Sequence, residues 1–210
     1  MAHALPPRLE LFSDAVFAII ITIMVLELRP PVGHELSDLV ALWPIAISYV
    51  LSFVYLIIYW NNHHHLMSAM KRPTAGIMWS NAHLLFWLSL IPFSTAWLGE
   101  SHGAYAPALV YGINLLLAAI AYFILQSRII KSQGSESPLQ KALGNDIKGK
   151  LSPLFYVFGI VGSFFNPLIG YFWYVVVALM WIVPDRRIES LFEEWLFHQT
   201  FEHSFWGDFE

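Results

Sequence analysis

The sequence predicts an all-α integral membrane protein with six transmembrane helices. Of its 210 residues, 57% are hydrophobic and only 12% are charged, and the mean hydropathy is +0.57. A soluble domain carries about 25% charged residues, so the chain has roughly half the polar surface that solubility requires. Apolar runs of membrane-spanning length recur along the chain, and the basic residues cluster in alternate loops between them.

Six apolar runs give the predicted helices. About 20 residues are needed to cross roughly 30 Å of hydrocarbon, and the first four runs are long enough. The last two are shorter and are separated by the turn signal Asn166-Pro167. We interpret them as a spanning hairpin, and a re-entrant hairpin is the alternative. The runs are 11–28, 43–60, 77–98, 105–125, 151–165 and 168–183, which together define a transmembrane domain over residues 1–183.

The loops predict the orientation. If the runs alternate across the membrane, ten of the eleven Lys and Arg residues lie on one side and only Arg29 lies on the other. This bias places both termini in the cytoplasm.

Two polar segments lie outside the runs. Residues 127–150 are predicted to form a mobile cytoplasmic linker because they are rich in Ser, Gly and charged residues. Residues 184–210 begin with apolar side chains at helical spacing and glutamates between them, which predicts a cytoplasmic amphipathic helix. Its acidic face favours packing on the protein over binding to anionic lipid.

Several classes of function are excluded by what the sequence lacks. The absence of cysteine removes disulfides, thiolate metal sites and cysteine nucleophiles. A net charge of −4 leaves no basic footprint for nucleic acid. No hydrolase elbow, phosphate-binding loop or paired intramembrane aspartates are present, so we expect neither an enzyme nor a cofactor. The Thr-x-Gly-Tyr-Gly filter of ordinary potassium channels is also missing.

The first helix contains the most unusual residues. Its cytoplasmic end carries a polar cluster, which consists of Arg8, Glu10, Ser13 and Asp14. Ionisable groups near hydrocarbon usually face protein or water, although an N-terminal cap is a simpler explanation for Ser13 or Asp14.

An aliphatic stripe follows on the same helix. At 100° per residue, Ile19, Ile23 and Leu26 share one face, and Thr22 flanks it. Asp14 points about 140° away from Ile19, so it is expected to anchor the helix to its neighbours and not to line a pathway. Such a stripe on a membrane helix is most often only a lipid-facing or helix-packing surface.

Histidines form a second candidate site. His63, His64 and His65 end the second run, and His83 lies early in the third. They suggest a metal site or a proton relay, but consecutive residues of a helix point in different directions and no metal site is predicted. The alternative is that one of the three histidines bonds to the polar cluster. Asn81 is another candidate partner.

Specific motifs connect the chain to a known family. The segment Arg8-Leu9-Glu10-Leu11-Phe12-Ser13-Asp14 matches Arg-x-x-x-Phe-Ser-Asp, the signature of the transmembrane protein 175 family of potassium-permeable channels. Further resemblances to its bacterial members are Trp60 with the following histidines, Trp79-x-Asn81 and Pro92-Phe93-x-Thr95. The resemblance covers nearly the whole chain, except the acidic, aromatic tail from Ile188 to Glu210.

The resemblance implies a homotetramer of six-helix subunits in a bacterial inner membrane, with the first helix lining a central pore. In that family bulky aliphatic residues form a hydrophobic constriction, which falls here on Ile19, Ile23 and Leu26, and a threonine linked to selectivity falls on Thr22. A buried polar network ties the first helix to the next two. It is expected to comprise Arg8, Ser13, Asp14, His63 and Asn81, with His64 and His65 as alternatives to His63.

The implied function is passive conduction of K⁺, the permeant ion, with modest preference over Na⁺. Two alternatives remain open at this point. One is a proton-conducting channel, and the other is a proton-coupled secondary transporter that uses Asp14 and a histidine as a relay. Neither an inverted repeat nor a pair of broken helices, the usual signs of a transporter, is present in the sequence.

Overall fold

The computed structural model describes residues 8–134, 137–144 and 146–182. Helical structure dominates this part of the chain, as expected where the bilayer offers no partner for backbone polar groups. The helices are α1 Arg8–Leu26, α2 Leu36–Val40, α3 Trp43–Ser68, α4 Ala75–Ser89, α5 Ile91–Glu100, α6 Tyr105–Gln133, α7 Pro138–Leu143, α8 Ile147–Phe165 and α9 Pro167–Ile182. The predicted tail helix lies outside the described residues.

Four segments of the described part of the chain are long and apolar enough to cross a membrane. They are Arg8–Leu26, Trp43–Ser68, Ala75–Glu100 and Tyr105–Gln133, and they correspond to the first four predicted runs. The last two runs become α8 and α9, which meet at Asn166; α9, with 16 residues, is a shorter apolar helix. The chain is therefore an all-helical, multi-pass membrane protein.

The third span is broken at Leu90, which the sequence analysis did not predict. Pro92 has no backbone N–H, so it cannot continue the hydrogen-bond ladder of α4. Asn114 of α6 bridges the break when its carboxamide is oriented so that both its oxygen and its nitrogen have hydrogen-bond partners. Its oxygen accepts from the Ile91 backbone N at 3.2 Å, and its nitrogen donates to the Trp87 carbonyl at 2.9 Å.

The prediction of a mobile linker over 127–150 was wrong. Helix α6 continues to Gln133 and ends where Gly134 takes a φ of 81°, a value that favours glycine. Two of the polar residues in this segment cap helices. Ser137 Oγ accepts from the Gln140 backbone N at the start of α7, and Asp146 Oδ1 accepts from the Gly149 backbone N at the start of α8.

Helix α6 lies at the centre of the bundle and contacts α4, α5, α8 and α9, whereas α1 packs against α3, α4 and α5. Close packing of α6, α8 and α9 depends on Tyr174, whose hydroxyl donates to the Ala108 carbonyl at 3.0 Å. Gly112 and Gly159 provide the space for this ring, since a Cβ at either position would collide with it. Helix α1 packs on one side of the bundle, and one of its faces remains exposed.

Candidate ion pathway and its polar anchor

Helix α1 has two contrasting faces. Ser13, Phe17, Ile20 and Met24 are buried against the rest of the chain. The predicted stripe lies on the uncovered side, where Ile19, Ile23 and Leu26 are 55%, 45% and 76% exposed. Large aliphatic side chains are therefore aligned along a helix face that no described part of the same chain covers.

Thr22 interrupts this uncovered face with a polar atom. Its hydroxyl donates to the Ile19 carbonyl of the preceding turn at 2.8 Å. Because the hydrogen is committed to the backbone, the remaining lone pairs of the oxygen face outwards. Thr22 can therefore present an acceptor to a cation on the uncovered side of α1.

A directed chain of hydrogen bonds holds the buried face of α1. His63 Nε2 of α3 donates to Asn81 Oδ1 of α4 at 2.7 Å, and Asn81 Nδ2 donates to Ser13 Oγ at 2.9 Å. Ser13 Oγ in turn donates to the Leu9 carbonyl at 2.8 Å. Since Asn81 Oδ1 can only accept, the hydrogen of His63 lies on Nε2. His63 Nδ1 is buried without a hydrogen-bond partner in the described chain, beside the ring of Phe17.

Two further contacts join α1 to α3 one helical turn apart. The indole Nε1 of Trp60 donates to Asp14 Oδ1 at 3.0 Å, and His64 Nδ1 lies 3.0 Å from Glu10 Oε1. The two helices are antiparallel here, so residues spaced by four on α1 meet residues spaced by four on α3. Asp14 is half-buried and anchors α1 on a side away from the stripe of Ile19, Ile23 and Leu26.

The predicted network is only partly assembled within one chain. Ser13, His63 and Asn81 are brought together, whereas Asp14 lies in the adjacent contact with Trp60. Arg8 is exposed at the start of α1. The sequence analysis did not identify Trp60 as the partner of Asp14, and it left open which of the three histidines meets the polar cluster; in the structure His64 lies beside Glu10. The matching spacing of four in both helices is the signal that could have revealed the two contacts.

The Pro92-Phe93-x-Thr95 motif lies in α5, one of the helices against which α1 packs. Thr95 Oγ1 of α5 is 2.7 Å from Ser52 Oγ of α3, which is 2.9 Å from the hydroxyl of Tyr111 in α6. All three side chains are buried. This cluster ties α5, on which α1 packs, to two other helices, and the sequence analysis assigned it no role.

The histidines do not converge on a common point. His63 is fully buried, His64 is exposed beside Glu10, and His83 accepts from Trp87 Nε1 of its own helix at 2.9 Å. Among the described residues no group of three His, Cys, Asp or Glu side chains is placed to hold a metal ion.

Comparison with known proteins connects these features to a family. Residues 8–92 match the family model described as the endosomal/lysosomal potassium channel TMEM175. A potassium channel of Chryseobacterium sp. (strain P1-3) is 50% identical over 187 residues, which cover 89% of this chain and 97% of that protein. A potassium channel of Chamaesiphon minutus (strain ATCC 27169 / PCC 6605) is 35% identical over 124 residues, 54% of this chain and 61% of that protein.

A solved structure shares the fold. The crystal structure of a lysosomal potassium-selective channel TMEM175 homolog from Chamaesiphon minutus superposes with a TM-score of 0.73 at 28% identity. The match covers 85% of this chain and 96% of that chain. Family members are channels and not enzymes, in agreement with the missing catalytic motifs. The chain therefore belongs to the TMEM175 family of potassium channels.

Proposed function

We propose that this protein is a homotetrameric K⁺-permeable channel of a bacterial inner membrane, in which α1 of each subunit lines a central pore. The observation that carries the proposal is the uncovered stripe of Ile19, Ile23 and Leu26, since three large aliphatic residues face away from their own subunit. Four copies around an axis would stack these side chains into apolar rings. An apolar constriction excludes water and gates hydrated ions.

Selectivity in this proposal comes from Thr22 and from partial dehydration. Four Thr22 oxygens beside the constriction would replace part of the hydration shell, and K⁺ releases its shell at lower cost than Na⁺. Without a rigid cage of carbonyl groups the discrimination is modest, about 1–2 kcal/mol. Glu27, Glu35 and Asp38, near the outer end of α1, would raise the local cation concentration.

The polar anchor, which consists of the bonds from Asn81 and Trp60 to α1, is compatible with a pore-lining role for this helix. Its cytoplasmic half is held by Asn81 and Trp60, whereas the half that carries Ile23 and Leu26 is held by apolar contacts such as Met24. Opening then requires rotation or splaying of α1 within the outer half. The bias of basic residues supports cytoplasmic termini.

The test is the reversal potential of purified protein in a planar bilayer between K⁺ and Na⁺ solutions. We expect a stable current that reverses towards the K⁺ potential. Ile23→Asn should wet the constriction and increase both currents while the K⁺/Na⁺ ratio falls. Val25→Asn is the matched control because Val25 is 44% exposed, nearly as much as Ile23, but lies about 160° away around α1.

Two results would count against the hydrophobic constriction. One is wild-type current and selectivity in Ile23→Asn. The other is an equal increase in Val25→Asn. No conductance, together with uptake that follows a pH gradient in liposomes, would instead favour the proton-coupled carrier. The bond from Asp14 to an indole N–H supports an anchoring role, since indole does not titrate at physiological pH.

A further inference from the structure

A cavity of about 50 Å³ lies between α3, α6, α8 and α9, on the side of α3 away from α1. It lies towards the C-terminal ends of α3 and α6. These ends precede the basic loops and are therefore on the proposed cytoplasmic side. Aromatic rings from all four helices form its wall. We call it the aromatic cavity, and its rings are Tyr55, Tyr59, Tyr122, Phe123, Tyr156 and Trp181.

A carboxylate also lines the aromatic cavity. Asp146 lies among its lining residues, accepts from Gln126 Nε2 at 3.3 Å and caps α8 through the Gly149 backbone N at 3.0 Å. None of the lining residues is basic. Ring faces carry negative quadrupole potential and attract ammonium groups, so aromatic walls with one carboxylate are complementary to a small organic cation.

The size of the aromatic cavity limits the cation. An apolar cavity of about 150 Å³ holds a benzene molecule, and this one has about a third of that volume. A primary ammonium with one or two carbons fits this space, whereas a trimethylammonium group does not. A primary ammonium also keeps three N–H donors, which the Asp146 carboxylate and neighbouring oxygens can accept.

We propose that the aromatic cavity binds a primary ammonium group. Two sources carry this chemistry, an ethanolamine phospholipid headgroup in the adjacent leaflet and a free small amine. The lining residue Phe123 is 56% exposed on the bundle surface, where a lipid headgroup can approach from the side. The site is separate from α1, so its occupancy does not depend on the proposed pore.

The experiment combines native mass spectrometry with thermal unfolding of the full chain in detergent. We expect wild-type protein to retain phosphatidylethanolamine in preference to phosphatidylglycerol and phosphatidylcholine. Methylammonium chloride should raise the unfolding temperature and displace the bound lipid, whereas tetramethylammonium chloride should do neither. Stabilisation by methylammonium without selective lipid retention would assign the site to free amines.

Two variants test the site itself. Asp146→Asn removes the charge but keeps a good helix cap and tolerates the φ of 36° at this position. It should weaken binding roughly tenfold to a hundredfold, as expected for the loss of a charged partner. Tyr122→Leu should weaken it as well, whereas Phe164→Leu, which replaces an exposed aromatic ring outside the cavity, should not.

The proposal is overturned if wild-type protein shows no preference among the three lipids and no stabilisation by methylammonium. It is also overturned if Asp146→Asn and Tyr122→Leu both bind as wild type does. The Phe164→Leu control separates loss of the site from a general effect of removing an aromatic side chain.

Discussion

At the level of single residues, Asn81 has the central position because its carboxamide contacts two different helices. Its oxygen holds His63 of α3 and its nitrogen holds Ser13 of α1. Ser13 and His63 are both fully buried, so neither can turn to water if Asn81 is removed. A buried polar group that loses its partner costs more than the bond itself contributes.

Asn81→Leu should therefore lower the free energy of unfolding by about 1–3 kcal/mol, because it leaves the buried His63 Nε2 without an acceptor and removes the donor to Ser13 Oγ. Thermal unfolding in detergent measures the change. Adding His63→Phe should recover part of the loss, since one stranded group is removed. Ser89→Ala is the control, because the Ser89 hydroxyl is exposed and bonds only to the Phe86 carbonyl of its own helix. Equal losses in Ser89→Ala and Asn81→Leu would contradict this account.

Thr22 leads to a prediction about selectivity. Thr22→Val has nearly the same shape but lacks the oxygen that faces away from the helix. The K⁺/Na⁺ permeability ratio from reversal potentials should fall towards one, while assembly stays intact. Thr22→Ser keeps the hydroxyl and should keep most of the ratio. An unchanged ratio in Thr22→Val would remove this residue from the selectivity mechanism.

At the level of helices, close approach depends on positions where a side chain would not fit. A Cβ on Gly159 of α8 would lie 2.5 Å from Tyr174 Cε1, and a Cβ on Gly112 of α6 would meet the hydroxyl of the same tyrosine. Tyr174 itself bonds to the Ala108 carbonyl of α6. The ring therefore sets the distances among α6, α8 and α9.

Gly159→Ala should lower the free energy of unfolding by about 1–3 kcal/mol, because the added methyl must displace the Tyr174 ring. Gly76→Ala in α4 is a suitable control, since its Cβ would have no neighbour closer than 3.8 Å. It should be neutral or stabilising by up to about 1 kcal/mol through better helix propensity. The same thermal assay compares the two, and a loss confined to Gly76→Ala would refute the packing argument.

At the level of the whole molecule, a single chain leaves one face of α1 uncovered. Its aliphatic stripe is uncovered, and the contact between Asp14 and Trp60, on a different side of α1, is also exposed. Charged groups in spanning helices are stable only when protein or water surrounds them. In the proposed tetramer, neighbouring copies would cover this contact as well as the stripe, so Asp14 and Trp60 should influence assembly.

Asp14→Ala removes the acceptor for the Trp60 indole and should reduce the yield of the proposed tetramer, whose mass would be four times 24.0 kDa. Size-exclusion chromatography with light scattering measures this mass. Channels that do assemble should retain the wild-type reversal potential. Asp14→Asn keeps an acceptor oxygen and should assemble more efficiently than Asp14→Ala. Normal tetramers with altered ion preference would show that Asp14 acts on the permeating ion instead.

Much of the fold could be predicted because the bilayer constrains local sequence strongly. The first four spans and the exposed face of Ile19, Ile23 and Leu26 followed from apolar length and the 100° repeat. The polar partners were harder to predict. Trp60 is a large, mostly apolar residue, and its N–H becomes a specific donor only where α3 runs antiparallel to α1.

The helical membrane class, the aliphatic stripe of α1 and the family motifs could all be inferred from the amino-acid sequence. These properties depend on residues near one another along the chain. The folded structure was needed to show that α6 and α8 extend into the supposed linker, that Asn114 bridges the break at Leu90, and that Asp14 bonds to Trp60. Each depends on capping or on contacts between residues far apart in sequence, and such contacts exist only once the helices have packed.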